Sequence, residues 1–225
     1  MNKKLLIFGT GEIGELAYFY FTRDSEWKVE GFVCDDAYHT QDTFLDLPCI
    51  KTSEITKFPP EDYCIHVALS YRKLNRIREE KYNFFKKLGY SLPSYISSKT
   101  TIWSHQIGEN CFILEDQTIQ PYVKIGNNVM LWSGNHIGHG SIIEDHVYIA
   151  SHAVISGHCY IGERTFIGVN AAMKDFITIG KDCFIGMGVN ITRNCEDGSV
   201  CLPSKDNIFS STDPIAEKIK KSYFG

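Results

Sequence analysis

From residue 107 onward the apolar positions of this chain return every six residues. Ile107, Ile113, Ile119, Ile125, Leu131, Ile137, Ile143, Ile149, Ile155, Ile161, Ile167, Met173, Ile179, Ile185 and Ile191 form an unbroken column of fifteen aliphatic or Met residues. Such residues make up roughly a fifth of ordinary sequence, so a run of this length does not arise by chance. Four residues after each member comes a second, smaller column: Cys111, Gln117, Val123, Val129, Asn135, Ser141, Val147, Ala153, Cys159, Thr165, Ala171, Ile177, Cys183, Val189 and Cys195. One large aliphatic and one small residue per hexad describe a triangular coil, with the aliphatic filling the interior and the small residue inside a tight corner. Three hexads close one coil of eighteen residues, and fifteen build five coils stacked at about 4.8 Å. The predicted architecture is a left-handed parallel β-helix. Glycines in the Ile-Gly pairs at 107–108, 125–126, 161–162 and 179–180 are expected to give the corners backbone freedom.

The first half follows a different pattern. Lys4 to Phe8 is an apolar strand, followed by Gly9-Thr10-Gly11-Glu12-Ile13-Gly14 and a helical stretch from Glu15 to Phe21. In this GxGxxG turn, glycines let the backbone approach a phosphate while the helix N-terminus supplies positive potential. A second strand, Trp27 to Cys34, ends in Asp35-Asp36, an acidic pair able to accept hydrogen bonds from a ribose or base. A third, Tyr63 to Ser70, precedes a helix from about Lys73 to Leu88 that ends at Gly89. Only half of a full dinucleotide-binding fold fits before the repeats, so a mononucleotide is the expected guest and a nicotinamide oxidoreductase is excluded. Past the coils, Asp213-Pro214 caps a short helix, Ile215 to Tyr223. The expected organisation is an α/β Rossmann-like domain over 1–97, an all-β left-handed parallel β-helix over 98–200, and a tail with a short C-terminal helix over 201–225.

Composition narrows the class of function. At 43% hydrophobic and 22% charged the chain reads as globular. No apolar run approaches the roughly 20 residues of a membrane span, and a cytoplasmic protein without a signal peptide is expected, with no membrane partner. A formal net charge of −4 supplies no basic field to hold a polyanion, so nucleic acid is not expected as a partner. The eight cysteines form no CxxC pair, and Cys111, Cys159, Cys183, Cys195 and Cys201 fall on the small column. They read as compact corner fillers in a reducing compartment rather than as disulfides or metal ligands.

Together, GTGEIG with Cys34-Asp35-Asp36 and the hexad run resemble the bacterial nucleotide-sugar N-acyltransferases. That family joins a small Rossmann-like domain to a left-handed β-helix, and includes the enzymes of bacillosamine and perosamine pathways. The resemblance spans Lys4 to about Glu196 and implies an acetyl-CoA-dependent N-acetyltransferase, a homotrimer, acting on a nucleotide-linked amino sugar for a bacterial surface glycan. It makes His139, in Leu131 to Ile143, the general base, since a sugar ammonium must lose a proton for its nitrogen to attack a thioester. Gly157, one coil later in the same phase, takes the place of the backbone N–H that holds the oxyanion. Val169 and Met187 match positions that contact acetyl-CoA. Gly11, Glu12, Ile13, Asp35, Asp36 and Ser70 match positions that hold the nucleotide sugar. Two departures stand out: relatives place an acid directly after the base, where this chain has Gly140, and Tyr148 stands where relatives can have a histidine, so it is given no catalytic role.

A hexapeptide β-helix can instead carry zinc between subunits, as in γ-class carbonic anhydrases. His146, His152 and His158 share one phase of three successive hexads, which puts them on three sides of a coil. They cannot converge on one ion within a chain, which leaves only a site shared across a trimer interface, and no metal is expected. Two other readings of the fold are an O-acetyltransferase acting on a sugar hydroxyl, of the sialic-acid type, and a non-catalytic nucleotide-sugar-binding trimer, for which Gly140 is the main support.

Overall fold

The computed structural model describes residues 4–204, 210 and 213–224. The predicted opening strand is β1, Lys4–Phe8, and the helix after the glycine turn is α1, Glu12–Arg23. Helix α1 starts three residues before the expected Glu15. Gly11 is its N-cap, and Glu12 and Glu15 set two carboxylates against the positive end of its dipole. Strand β2, Val29–Cys34, is followed by a hairpin that hydropathy did not announce: β3, Thr43–Phe44, and β4, Leu47–Lys51, turned by Leu45 and Asp46 at positive φ. Strand β5, Tyr63–Val67, leads to α2, Arg76–Lys87. Three consecutive left-handed residues, Lys73, Leu74 and Asn75, delay that helix beyond the expected Lys73.

The sheet order is β3-β4-β2-β1-β5, parallel except for the β3–β4 hairpin. The chain leaves β1 to one side through α1 and returns to its other side at β5. The carboxyl ends of β1, β2 and β5 therefore frame a topological switch point, where open α/β sheets bind ligands.

Beyond Tyr95 the chain winds into three parallel sheets of two-residue strands, the left-handed β-helix that the hexads predict. The first face has seven strands, from Tyr95–Ile96 to Val200–Cys201; the second has six, from Thr101–Ile102 to Asn190–Ile191; the third has five, from Gln106–Ile107 to Thr178–Ile179. Pairing runs in an eighteen-residue register, as in Ile119 with Ile137 and Ile137 with Ile155. Both columns point inward and form one cluster, with Ile113, Ile119, Val129, Leu131, Ile137, Ala153, Ile155 and Ile167 all excluded from solvent. Two further strands precede the fifteen hexads. They escape the period because the step from Ile102 to Ile107 is five residues.

The corners differ from expectation in their use of glycine. The left-handed backbone falls every sixth residue, at Asn110, Asp116, Tyr122, Asn128, Gly134, Gly140, His146, His152, His158, Arg164, Asn170, Phe176 and Asp182, and most of these carry side chains. The Ile-Gly glycines have another cause, which is close stacking of coils. A Cβ at Gly108 would lie 2.5 Å from the Gly126 carbonyl oxygen, and one at Gly162 would lie 2.6 Å from the Gly180 carbonyl carbon.

All eight cysteines are free thiols, five of them on the small column as predicted, and Cys111, Cys159 and Cys183 are buried there. Outside the coils Cys34 and Cys49 meet at 3.6 Å between sulfurs, and burial pushes the Cys34 thiol up to about 12, which keeps it protonated.

Two contacts fix the α/β domain on the coils. Phe112, Met130 and Tyr148 of the first face share a core with Ala17 and Phe21 of α1 and with Leu5 and Ile7 of β1. Helix α2 lies along the edge between the third and first faces, where Arg78 is buried. Its guanidinium donates to the carbonyl oxygens of Asn128 and His146 and to Asn75 Oδ1, while burial pulls it down to about 10. Arg76 and Arg164 pair with Asp182, and Glu79 with Arg164, on the same edge. Helix α3, Pro214–Phe224, follows Asp213, whose Oδ1 accepts from the Ile215 N–H at 2.8 Å.

Candidate active site

The switch point holds a cleft of about 370 Å³ lined by Phe8, Gly9, Thr10, Gly11, Cys34, Asp35, Tyr38, Leu69, Ser70, Arg72, Ile77 and Lys81. The glycines of the turn have separate tasks. Gly9 has φ +126°, and a Cβ there would lie 2.5 Å from the Ala68 carbonyl oxygen, so it permits the turn to pack on the end of β5. A Cβ at Gly11 would meet nothing within 4 Å. That opening, at the N-terminus of α1, is where an anionic group can reach backbone N–H groups.

Asp35 and Asp36 part company. Asp35 lines the cleft and accepts from Lys81 Nζ at 2.6 Å and from Thr52 Oγ1 at 3.3 Å. Asp36 is exposed and turned onto Ser53, whose N–H and Oγ donate to its two oxygens at 3.1 and 2.6 Å and hold it below the usual carboxylate range. Lys81, in the second turn of α2, carries no local signal in sequence, yet it places an ammonium on the cleft wall.

A second cleft, about 460 Å³, shares Gly11, Leu69 and Ser70 with the first and continues through Glu12, Ile13, Ala68 and Tyr71 to Trp132 and Tyr148 of the coils. The Tyr148 ring stacks on Phe166 at 5.2 Å and meets Tyr71 edge-on at 5.1 Å, and burial raises its hydroxyl to about 12. The cleft at the switch point therefore runs onto the edge between the first and second faces. Val169 and Met187 lie on this edge one and two coils further along, both exposed.

His139 and Gly157 occupy another edge, between the second and third faces. They are brought together: a Cβ at Gly157 would lie 2.8 Å from His139 Cε1 and 3.1 Å from Nε2, so the imidazole rests on Gly157. Gln120, one coil earlier, places Oε1 2.9 Å from the His139 backbone nitrogen and 3.2 Å from its Nδ1. On the other side the His158 ring stands edge-on to His139, with centroids 4.8 Å apart, and stacks flat on Phe176 at 5.0 Å. Gly138 also has a part, because a Cβ there would lie 2.6 Å from the Gly157 nitrogen. Among the described residues the Gly157 N–H has no hydrogen-bond acceptor, and the glycine at 138 leaves it uncovered. His146, His152 and His158 sit on three different edges, as their phase requires.

Residues 122–157 and 158–193 match the family described as bacterial transferase hexapeptide (six repeats). In structure the chain is similar to a histidine-to-asparagine mutant of perosamine N-acetyltransferase from Caulobacter crescentus in complex with CoA and GDP-perosamine. Identity is 20%, with 89% of this chain and 93% of that chain covered at a TM-score of 0.79. It is similar to the acetyltransferase domain of PglB from Neisseria gonorrhoeae in complex with acetyl coenzyme A, at 27% identity, 89% and 96% coverage and a TM-score of 0.75. WeeI from Acinetobacter baumannii is 20% identical, with 88% and 95% covered and a TM-score of 0.68. No curated protein matches the chain in sequence. Among the described residues no helix is long and apolar enough to cross a membrane.

Proposed function

We propose that this chain, whose coils are those of the bacterial hexapeptide transferases, transfers an acetyl group from acetyl-CoA to the amine of a nucleotide-linked amino-deoxy sugar. The observation that carries the reading is the imidazole of His139 resting on Gly157, whose N–H is uncovered. His139 takes a proton from the sugar ammonium, the amine so freed attacks the thioester carbonyl, and the second proton that its nitrogen must lose passes to the departing CoA sulfur. The oxyanion accepts from the Gly157 N–H, and collapse of the tetrahedral intermediate expels the CoA thiol. Direct transfer is supported by three column cysteines, Cys111, Cys159 and Cys183, which are buried with thiols raised mainly by burial and so are poor acyl carriers.

The nucleotide sits at Gly11 with Asp35 and Ser70, and the sugar follows Glu12 and Ile13 toward Trp132 and Tyr148. Asp36, held by Ser53, serves the nucleotide by shaping the end of β2. Val169 and Met187 take acetyl-CoA, through backbone groups along the pantetheine arm. These residues line one edge of the second face while His139 and Gly157 line the other. A three-fold assembly that turns the second face inward sets one subunit's first edge against its neighbour's second, so the separation of the two sets favours a homotrimer with sites between subunits. The PglB domain was captured with acetyl coenzyme A and the perosamine enzyme with CoA and GDP-perosamine, which supports the same donor and acceptor class here.

The test is thiol release from acetyl-CoA with UDP-, dTDP- and GDP-linked 3- and 4-amino sugars, each beside its hydroxyl counterpart. Release confined to an amino sugar is expected. Turnover of hydroxyl sugars alone would replace the reading by O-acetylation, and silence throughout would leave a binding protein.

A further inference from the structure

We infer that Gln120 is the positioning residue for His139, taking over the task of the acid that Gly140 lacks; the inference rests on His139 as the base. A backbone N–H only donates, so the Gln120 atom 2.9 Å from the His139 nitrogen is the amide oxygen and not the NH₂ group. The same oxygen lies 3.2 Å from Nδ1, which must then carry the ring proton. The lone pair is left on Nε2; the ring lies flat enough over Gly157 that a Cβ there would stand 3.1 Å from Nε2 and 3.2 Å from Nδ1. One side-chain oxygen thus fixes both the main chain and the tautomer of the base.

The fold explains why the acid is absent. Residue 140 is the left-handed corner residue, at φ +68°, and a Cβ on it would lie 2.6 Å from Nδ1 of His158. The space that a side chain would fill is occupied by the His158 ring, clamped between His139 and Phe176. A partner for Nδ1 has to come from the coil before, and Gln120 is half-buried there. The counterpart of Gln120 one coil later is Gly138, which has no side chain, so the same geometry that supplies an acceptor to the His139 amide withholds one from the Gly157 amide. Of titratable groups on this edge, His158 faces His139 directly, Tyr122 lies one coil before Gly140 with His105 in the coil before that, and Lys174 and Asp175 continue the edge two coils on from Gly138 and His139.

The experiment is a long-range ¹H–¹⁵N spectrum of the full-length protein labelled with ¹⁵N-histidine, recorded at about pH 8, with His139 assigned from a His139→Gln spectrum. The Nδ1–H form is expected for His139, shifting toward the Nε2–H form in Gln120→Ala, and retained in Gln120→Glu, whose carboxylate accepts the same two bonds. Where turnover is measured, Gln120→Ala lowers kcat by roughly 10²-fold with the sugar KM unchanged, the direction of loss for a catalytic histidine deprived of its tautomer. Gln120→Glu restores kcat and moves the acid limb of the pH profile upward. An Nε2–H form in the unmodified protein, or a tautomer unmoved by Gln120→Ala, would overturn the inference. A protein silent with every sugar, yet with the Nδ1–H form lost in Gln120→Ala, would sink the acyltransferase reading and leave the positioning intact.

Discussion

The imidazole of His139 lies on the Cα of Gly157, so close that a methyl group there would stand 2.8 Å from Cε1. The two residues are eighteen apart in sequence and adjacent in space because one coil separates them. That adjacency sets the proposed base beside the residue whose amide is proposed to hold the oxyanion.

Gly157→Ala tests that contact with the smallest possible change. The added Cβ meets the ring of His139, and the ring must swing away from the amide. Turnover is expected to drop by roughly 10²-fold or more, comparable to loss of an oxyanion donor, while the melting temperature stays within a few degrees. Near-wild-type kcat would show that the ring position does not matter.

If the nucleotide cleft and the base belong to different subunits, two inactive variants can rescue each other. His139→Ala lacks the base and Lys81→Ala disturbs the Asp35 wall of the cleft. Refolding an equal mixture should return activity that neither parent shows, because some interfaces then pair an intact cleft with an intact His139. No recovery in mixed assemblies would place both halves in one chain.

Arg78 makes a stability prediction. It is fully buried and satisfies carbonyl oxygens of the coil at Asn128 and His146, so Arg78→Ala leaves those acceptors dry and a void where α2 meets the edge. Unfolding free energy should fall by about 3 kcal/mol, the scale of a broken buried network. Denaturant titration gives the value, and a loss below about 0.5 kcal/mol would mean that α2 is held by its surface ion pairs instead.

Burial holds the imidazoles of His66 and His146 down to about 4, below the ordinary 6.5. Both stay neutral in the fold while the unfolded chain takes up protons from about pH 6.5 downward. Stability is therefore complete above about pH 6.5 and declines toward pH 4, by up to about 1.4 kcal/mol per pH unit for each residue. Urea midpoints at about pH 7 and about pH 5 measure it, and equal midpoints would contradict it.

The coils were legible in sequence because the period is imposed by geometry: every sixth side chain must enter the same narrow interior, and Ile107 to Ile191 obey without a gap. The strand Lys4–Phe8 was legible for the same reason, being buried on both faces. The β3–β4 hairpin was not, since Thr43–Phe44 is two residues long and β4 carries Pro48. The first coil was hidden by a single missing residue between Ile102 and Ile107. At the site, the joint phase of His139 and Gly157 was readable from spacing. Gln120, Gly138, Lys81 and Trp132 were not, because each acts across a coil or between domains, where nothing in the neighbouring sequence marks it. The glycines were visible but misread: coil spacing, and not corner conformation, requires Gly108 and Gly162.

The measurement closest to the central claim is the turnover of His139→Asn and His139→Ala with acetyl-CoA and the amino sugar that the unmodified protein acetylates. A base at this position requires kcat to fall by roughly 10²- to 10⁴-fold in both variants, with the fold and assembly unchanged. Either variant turning over at the unmodified rate would remove His139 from the chemistry, and with it the site on this edge.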